Sequence, residues 1–104
     1  MKIQFNTDNN IKGTEELRGP LEERITTSLS RFSDRITRVE VHLNDENSHK
    51  NGQNDKRCML EARLEGMQPI SVTNNDATED QAVKGAIDKL KAALDTVIGK
   101  SRNY

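Results

Sequence analysis

The sequence predicts a two-layer α+β domain of order β-α-β-β-β-α, a four-stranded mixed sheet with two helices packed on one face. Three observations carry that expectation. Two long segments, residues 17–32 and 83–97, place apolar side chains every three or four residues, the period of an amphipathic helix. Four shorter segments alternate apolar and polar residues, and their alternation is one-sided, as in a sheet covered on a single face. The order along the chain is strand, helix, three strands, helix, with no internal repeat, linker or second domain, so residues 1–104 read as one domain.

Ile3 and Phe5 alternate with Lys2, Gln4 and Asn6 in the first strand. A turn-rich stretch, TDNNIKG, leads to Thr14, a good N-cap followed by Glu15 and Glu16, where a helix N-terminus favours acids. Leu17, Leu21, Ile25, Leu29 and Phe32 then form the apolar stripe of the first helix, with Pro20 close enough to its start to be tolerated. Val39, Val41 and Leu43 alternate with Arg38, Glu40 and His42; Cys58, Leu60, Ala62 and Leu64 alternate with Met59, Glu61, Arg63 and Glu65; Ile70 and Val72 alternate with Ser71 and Thr73. The polar segment NDENSHKNGQNDK between the first two of these strands reads as a long hairpin loop, and GMQP at residues 66–69 as a tight turn. Thr78 with Gln81 makes a capping box for the last helix. There Val83, Ile87, Leu90, Leu94 and Val97 form the buried stripe, with Ala86, Ala93 and Ile98 beside it and Gly99 at its end. A right-handed crossover makes the first strand parallel to the second, and hairpins make the rest antiparallel.

Composition narrows the function classes. Apolar and charged residues each make up 32% of the chain, so the core is thin and the surface heavily charged. With no Trp and 3% aromatics, base stacking is not a main binding device. A net charge of −1 gives no global basic field, so nucleic-acid affinity has to come from a local patch. Cys58, the single cysteine, alternates into the core and reads as a small buried hydrophobe. His42 and His49 have no partner at triad or metal-ligand spacing, and no GxGxxG, Walker-type loop or HExxH occurs. The expectation is therefore no enzyme, no cofactor and no metal. No long apolar run opens the chain, which points to the cytoplasm and away from membranes.

Charge placement says more than charge total. Residues 17–38 hold five arginines against Glu22, Glu23 and Asp34, and residues 82–104 hold Lys84, Lys89, Lys91, Lys100 and Arg102 against Asp88 and Asp95. At about 100° per residue, Arg24 and Arg31 share one edge of the first helix. Lys84, Lys91 and Arg102 share one edge of the last helix, and Lys89 and Lys100 the other. Two helices side by side bring a basic edge of each toward a common groove, a phosphate-tracking surface that Arg35 joins from the following turn. Arg38 falls on the open sheet face and reads as solvated. Against the phosphate reading stands the ordinary one, in which such cations snorkel over a core and pair with nearby acids such as Asp88 and Asp95.

The stretch LEERITTSLSRFSDRITRVEVHL resembles the first helix and following strand of the ribosome hibernation-promoting factor and ribosome-associated inhibitor RaiA family. Asn10, Ile11, Thr14 and Leu17 in NIKGTEEL match the approach to that helix, and GAIDKL at residues 85–90 resembles the family's AAID-type motif. The likeness spans almost the whole chain, is of the short, single-domain type, and implies the same β-α-β-β-β-α order. It further implies a stress-related translation inhibitor that binds small-subunit rRNA in the mRNA and tRNA channel through its basic helices. The residues it would use are Arg24, Arg31, Arg35, Lys84, Lys89, Lys91, Lys100 and Arg102. Its partner would be the small ribosomal subunit, with no DNA and no membrane. Lys84 stands where the family commonly has Tyr, and Ala92, Thr96 and Gly99 where charged residues are common, so the basic surface is thinner than usual. The alternative is a family-fold protein-interaction module that has lost ribosome binding. Double-stranded RNA binding is a third reading, opposed by Asp76, Glu79 and Asp80 at the start of the last helix. An uncovered strand edge permits pairing between chains, giving a monomer or a weak homodimer.

Overall fold

The alternating segments pair as one sheet and the periodic ones lie across it. The computed structural model describes residues 1–7, 14–45 and 56–102. Its elements are β1 (Lys2–Thr7), α1 (Thr14–Ser28), a 3₁₀ turn (Ser30–Phe32), β2 (Ile36–Asp45), β3 (Lys56–Leu64), β4 (Ile70–Asp76) and α2 (Glu79–Arg102). The sheet order is β1-β2-β3-β4, with β1 parallel to β2 and the other pairs antiparallel. This is the four-stranded mixed sheet with two helices that the sequence predicts. The readings of a turn at residues 8–13 and of the hairpin loop at residues 46–55, which includes His49, lie outside the described residues.

The register explains the one-sided alternation. Phe5, Val41, Leu60 and Val72 form one inner row, and Ile3, Val39, Ala62 and Ile70 the next. Val39, Val41, Leu43, Cys58, Leu60 and Ala62 are fully buried under Leu21, Ile25 and Leu29 on one side and Val83, Ala86, Leu90 and Leu94 on the other. Burial pushes the Cys58 thiol up to about 12, which leaves it an inert core group.

Several boundaries differ from the sequence reading, each for a local reason. β2 and β3 run into the segment read as loop, because Asp45 and Lys56 oppose each other and Lys56 Nζ donates to Asp45 Oδ2 at 3.1 Å. A cross-strand ion pair continues the ladder where the apolar signal has stopped. α1 ends at Ser28 and Phe32 enters the core from the 3₁₀ turn, closed by Phe32 N–H to Leu29 O at 2.9 Å. In α2 the stripe runs through Ile98, which is buried, while Val97 is half-buried. The helix also continues past Gly99 to Arg102. Thr78 caps α2 as expected, its Oγ accepting the Gln81 N–H at 3.1 Å. Gly66 takes φ +73°, the left-handed turn conformation that glycine adopts without strain.

α2 lies over β3 and β4, and α1 lies near β1 and beside α2. Because β2 and β4 run the same way, both helices run antiparallel to them and parallel to each other. Their facing edges therefore line a single long groove.

Candidate nucleic-acid interface

Two ion pairs span that groove. Arg24 Nη1 lies 2.7 Å from Asp80 Oδ1, and Arg31 Nη2 donates to Asp95 Oδ2 at 2.8 Å. All four side chains are roughly half exposed, so each pair contributes about 0–1 kcal/mol and leaves its arginine exchangeable. The Arg31 guanidinium also rests on the Phe32 ring, 4.4 Å from its centre. Arg31, Phe32 and Arg35 line a cleft of about 380 Å³ whose other wall is Asp95, Ile98 and Gly99 of α2. Arg35 makes no ion pair among the described residues.

Lys84 is exposed and Lys91 half-buried on the α2 edge that carries Asp80 and Asp95, and neither has an ion-pair partner among the described residues. Lys89 lies on the far edge. Its Nζ donates to Thr73 O at 2.8 Å on β4, away from α1. The sequence had already put Lys89 on a different helix edge from Lys84 and Lys91, and the fold turns that edge toward β4. The backbone of Lys100 and Arg102 continues α2, and their side chains lie outside the described residues. Thus Arg24, Arg31, Arg35, Lys84 and Lys91 come together along the groove, and Lys89 does not. The sequence places Asp95 beside this edge, and the structure shows that it and Asp80 pair with Arg31 and Arg24 across the groove, while Asp88 does not. The signal was available in helical spacing, since Asp80, Lys84, Asp88, Lys91 and Asp95 all share one edge.

The opposite sheet face carries charge of another kind. Glu40 accepts Arg38 Nη2 at 2.9 Å and Arg63 Nε at 3.1 Å, with His42 Nε2 at 3.7 Å. Arg38 is thus on the open face, as the alternation predicts, and is paired there. Burial pushes the Glu40 carboxyl up, but the two guanidiniums outweigh it and hold the group below its ordinary 4.5. A lowered folded value means that the unfolded chain binds the proton more readily. The stabilisation is present above 4.5 and is lost as pH falls through the folded value. Glu40→Gln should therefore flatten the acid side of the stability curve, read by urea unfolding between about pH 6 and about pH 3. An unchanged acid limb would show that the network contributes nothing to acid sensitivity.

Among the described residues no helix is long and apolar enough to cross a membrane, and no cluster of three His, Cys, Asp or Glu is placed to hold a metal ion. The fold is similar to that of the Thermus thermophilus Protein Y N-terminal domain, with TM-score 0.72 and 21% identity over 93% of this chain and 99% of that one. It is also similar to a ribosomal subunit interface protein from Coxiella burnetii, with TM-score 0.75 and 17% identity over 95% of this chain and 99% of that one. A search of curated protein sequences gave no significant match. A family model does match residues 3–102, and by it the chain belongs to the Sigma 54 modulation protein / S30EA ribosomal protein family.

Proposed function

We propose that the protein is a ribosome-associated translation inhibitor whose two-helix groove docks on small-subunit rRNA in the mRNA and tRNA channel, inhibiting by occupancy without chemistry of its own. The observation that carries this reading is the cleft that holds Arg31 and Arg35, beside the α2 edge that carries Lys84 and Lys91, in a chain whose net charge is −1. A local basic track on a neutral protein suits a phosphate ligand held at one defined place better than general attraction to nucleic acid. Family membership supports the ribosome as partner, as do neighbours titled Protein Y and ribosomal subunit interface protein. On this reading the protein works in the cytoplasm, as one domain and as a monomer or weak homodimer, in resting or stressed cells.

Density-gradient sedimentation of a tagged copy from growing and starved cells tests this. The protein should travel with small subunits, most clearly after starvation. With about four phosphate contacts released as counterions, affinity should fall roughly fifty-fold between 50 and 200 mM salt. Co-sedimentation that persists unchanged across that range, or none from starved cells, would overturn the reading and leave a protein-interaction role in its place.

A further inference from the structure

Asp80 and Asp95 occupy the two arginines that a phosphate would otherwise take. A carboxylate resembles a phosphodiester to a guanidinium, being an anion that offers only acceptor oxygens. The Arg31–Asp95 contact is a full hydrogen bond, so a phosphate taking that Nη2 donor must break an existing interaction to form its own. Arg24 differs. Its Nη1 is sheltered from solvent and makes no hydrogen bond, although Asp80 Oδ1 is 2.7 Å away. The pairing there is therefore ionic rather than a well-aligned hydrogen bond, and a phosphate reaches Arg24 only once Asp80 moves aside. Lys84 and Lys91 stand between the two pairs without a partner among the described residues, and so attract any polyanion.

We propose that Asp80 and Asp95 hold down the RNA affinity of this face by competing with phosphate for Arg24 and Arg31, so that an RNA presenting phosphates to both arginines binds only by displacing both carboxylates. This rests on the rRNA-binding reading above. The free lysines give weak attraction to any RNA, and the guarded arginines yield to one whose shape fits the groove. Asp88 provides the internal comparison. It lies on the same α2 edge, is exposed, and makes no hydrogen bond or ion pair among the described residues, so it repels phosphate without occupying an arginine.

The experiment compares wild type, Asp80→Asn/Asp95→Asn, Asp95→Asn and Asp88→Asn for affinity to a uridine oligonucleotide and to purified small ribosomal subunits. Thermal melts confirm that each variant is folded. The double variant should bind small subunits about tenfold more tightly and the oligonucleotide about threefold, since only a ligand that displaces both carboxylates is relieved of both exposed ion pairs, about a fewfold in affinity each. Asp95→Asn should exceed Asp88→Asn on small subunits. The proposal is overturned if Asp88→Asn matches Asp95→Asn, which would make the effect one of net charge alone. It is also overturned if the double variant leaves small-subunit affinity unchanged, or strengthens the oligonucleotide more than small subunits. Wild type failing to bind small subunits would sink the rRNA reading instead, and the oligonucleotide comparison would still decide whether the carboxylates compete.

Discussion

Lys84→Glu combined with Lys91→Glu should reduce affinity for small ribosomal subunits at least a hundred-fold while lowering the melting temperature by only several degrees. Both lysines face the groove and neither has an ion-pair partner among the described residues, so their charge is available to a ligand. Removing two phosphate contacts alone costs roughly 25-fold at about 0.1 M salt through lost counterion release, and two new carboxylates add repulsion to that. The folded state loses about 1–2 kcal/mol, because the two new carboxylates stand beside Asp80, Asp88 and Asp95 at i,i+3 and i,i+4 spacing, and it remains folded. Reversing Arg31 would be a poorer test, since a carboxylate there would face Asp95 and loosen the two helices as well. Binding and melting measured on the same preparation separate the two effects. Retention of affinity within about threefold would show that the groove is not the contact surface.

Gly85→Ala should destabilise the fold, and the same change should stabilise it once Asn74 is Ala. Alanine normally gains about 0.8–1 kcal/mol over glycine inside a helix. Here a Cβ on Gly85 would run into the Asn74 amide, meeting its Nδ2 first and its Cγ at 2.6 Å. Asn74 sits on the inner side of β4 opposite Cys58, and its Nδ2 donates to Ala82 O at 3.2 Å. To make room, that amide must rotate and give up its hydrogen bond. Overpacking costs about 1–3 kcal/mol and the lost hydrogen bond about 1, together more than the helix gain. With Asn74→Ala the obstacle is gone and only the helix gain remains. Urea unfolding of the four proteins in this cycle measures the sign directly. A stabilised Gly85→Ala single variant, or no change of sign, would refute the wedge.

The same position shows what a sequence can and cannot disclose. GAIDKL is readable as a motif at residues 85–90, but the reason for its glycine lies on a strand whose apolar alternation had already stopped at Val72. Strand order and inner faces are legible because alternation is a local property of the chain, and Val39 to Leu43 or Cys58 to Leu64 declare it without help. Strand ends are less so, since Asp45 with Lys56 continues the ladder by ion pairing, and no apolar period marks that. The site divides likewise. Which cations share a helix edge follows from spacing, and the separation of Lys89 from Lys84 and Lys91 was already present there. Which acid each arginine meets depends on how two helices register across the sheet. Arg31 and Asp95 are distant in sequence, and no local pattern joins them.

The distribution of buried side chains has a further consequence for how the molecule opens. β1 has no fully buried residue, and α1 buries Leu21 and Ile25 while passing through Pro20, which lacks a backbone N–H. α2, by contrast, buries Ala82, Val83, Ala86, Ile87, Leu90, Leu94 and Ile98. The β1–α1 unit is therefore the low-energy opening of the native ensemble, and the sheet from β2 to β4 with α2 is its persistent part. The groove lies on the seam between them. A polyanion that grips both helices closes that seam, so its affinity includes the free energy of holding α1 in place. Association and local folding are then one linked equilibrium.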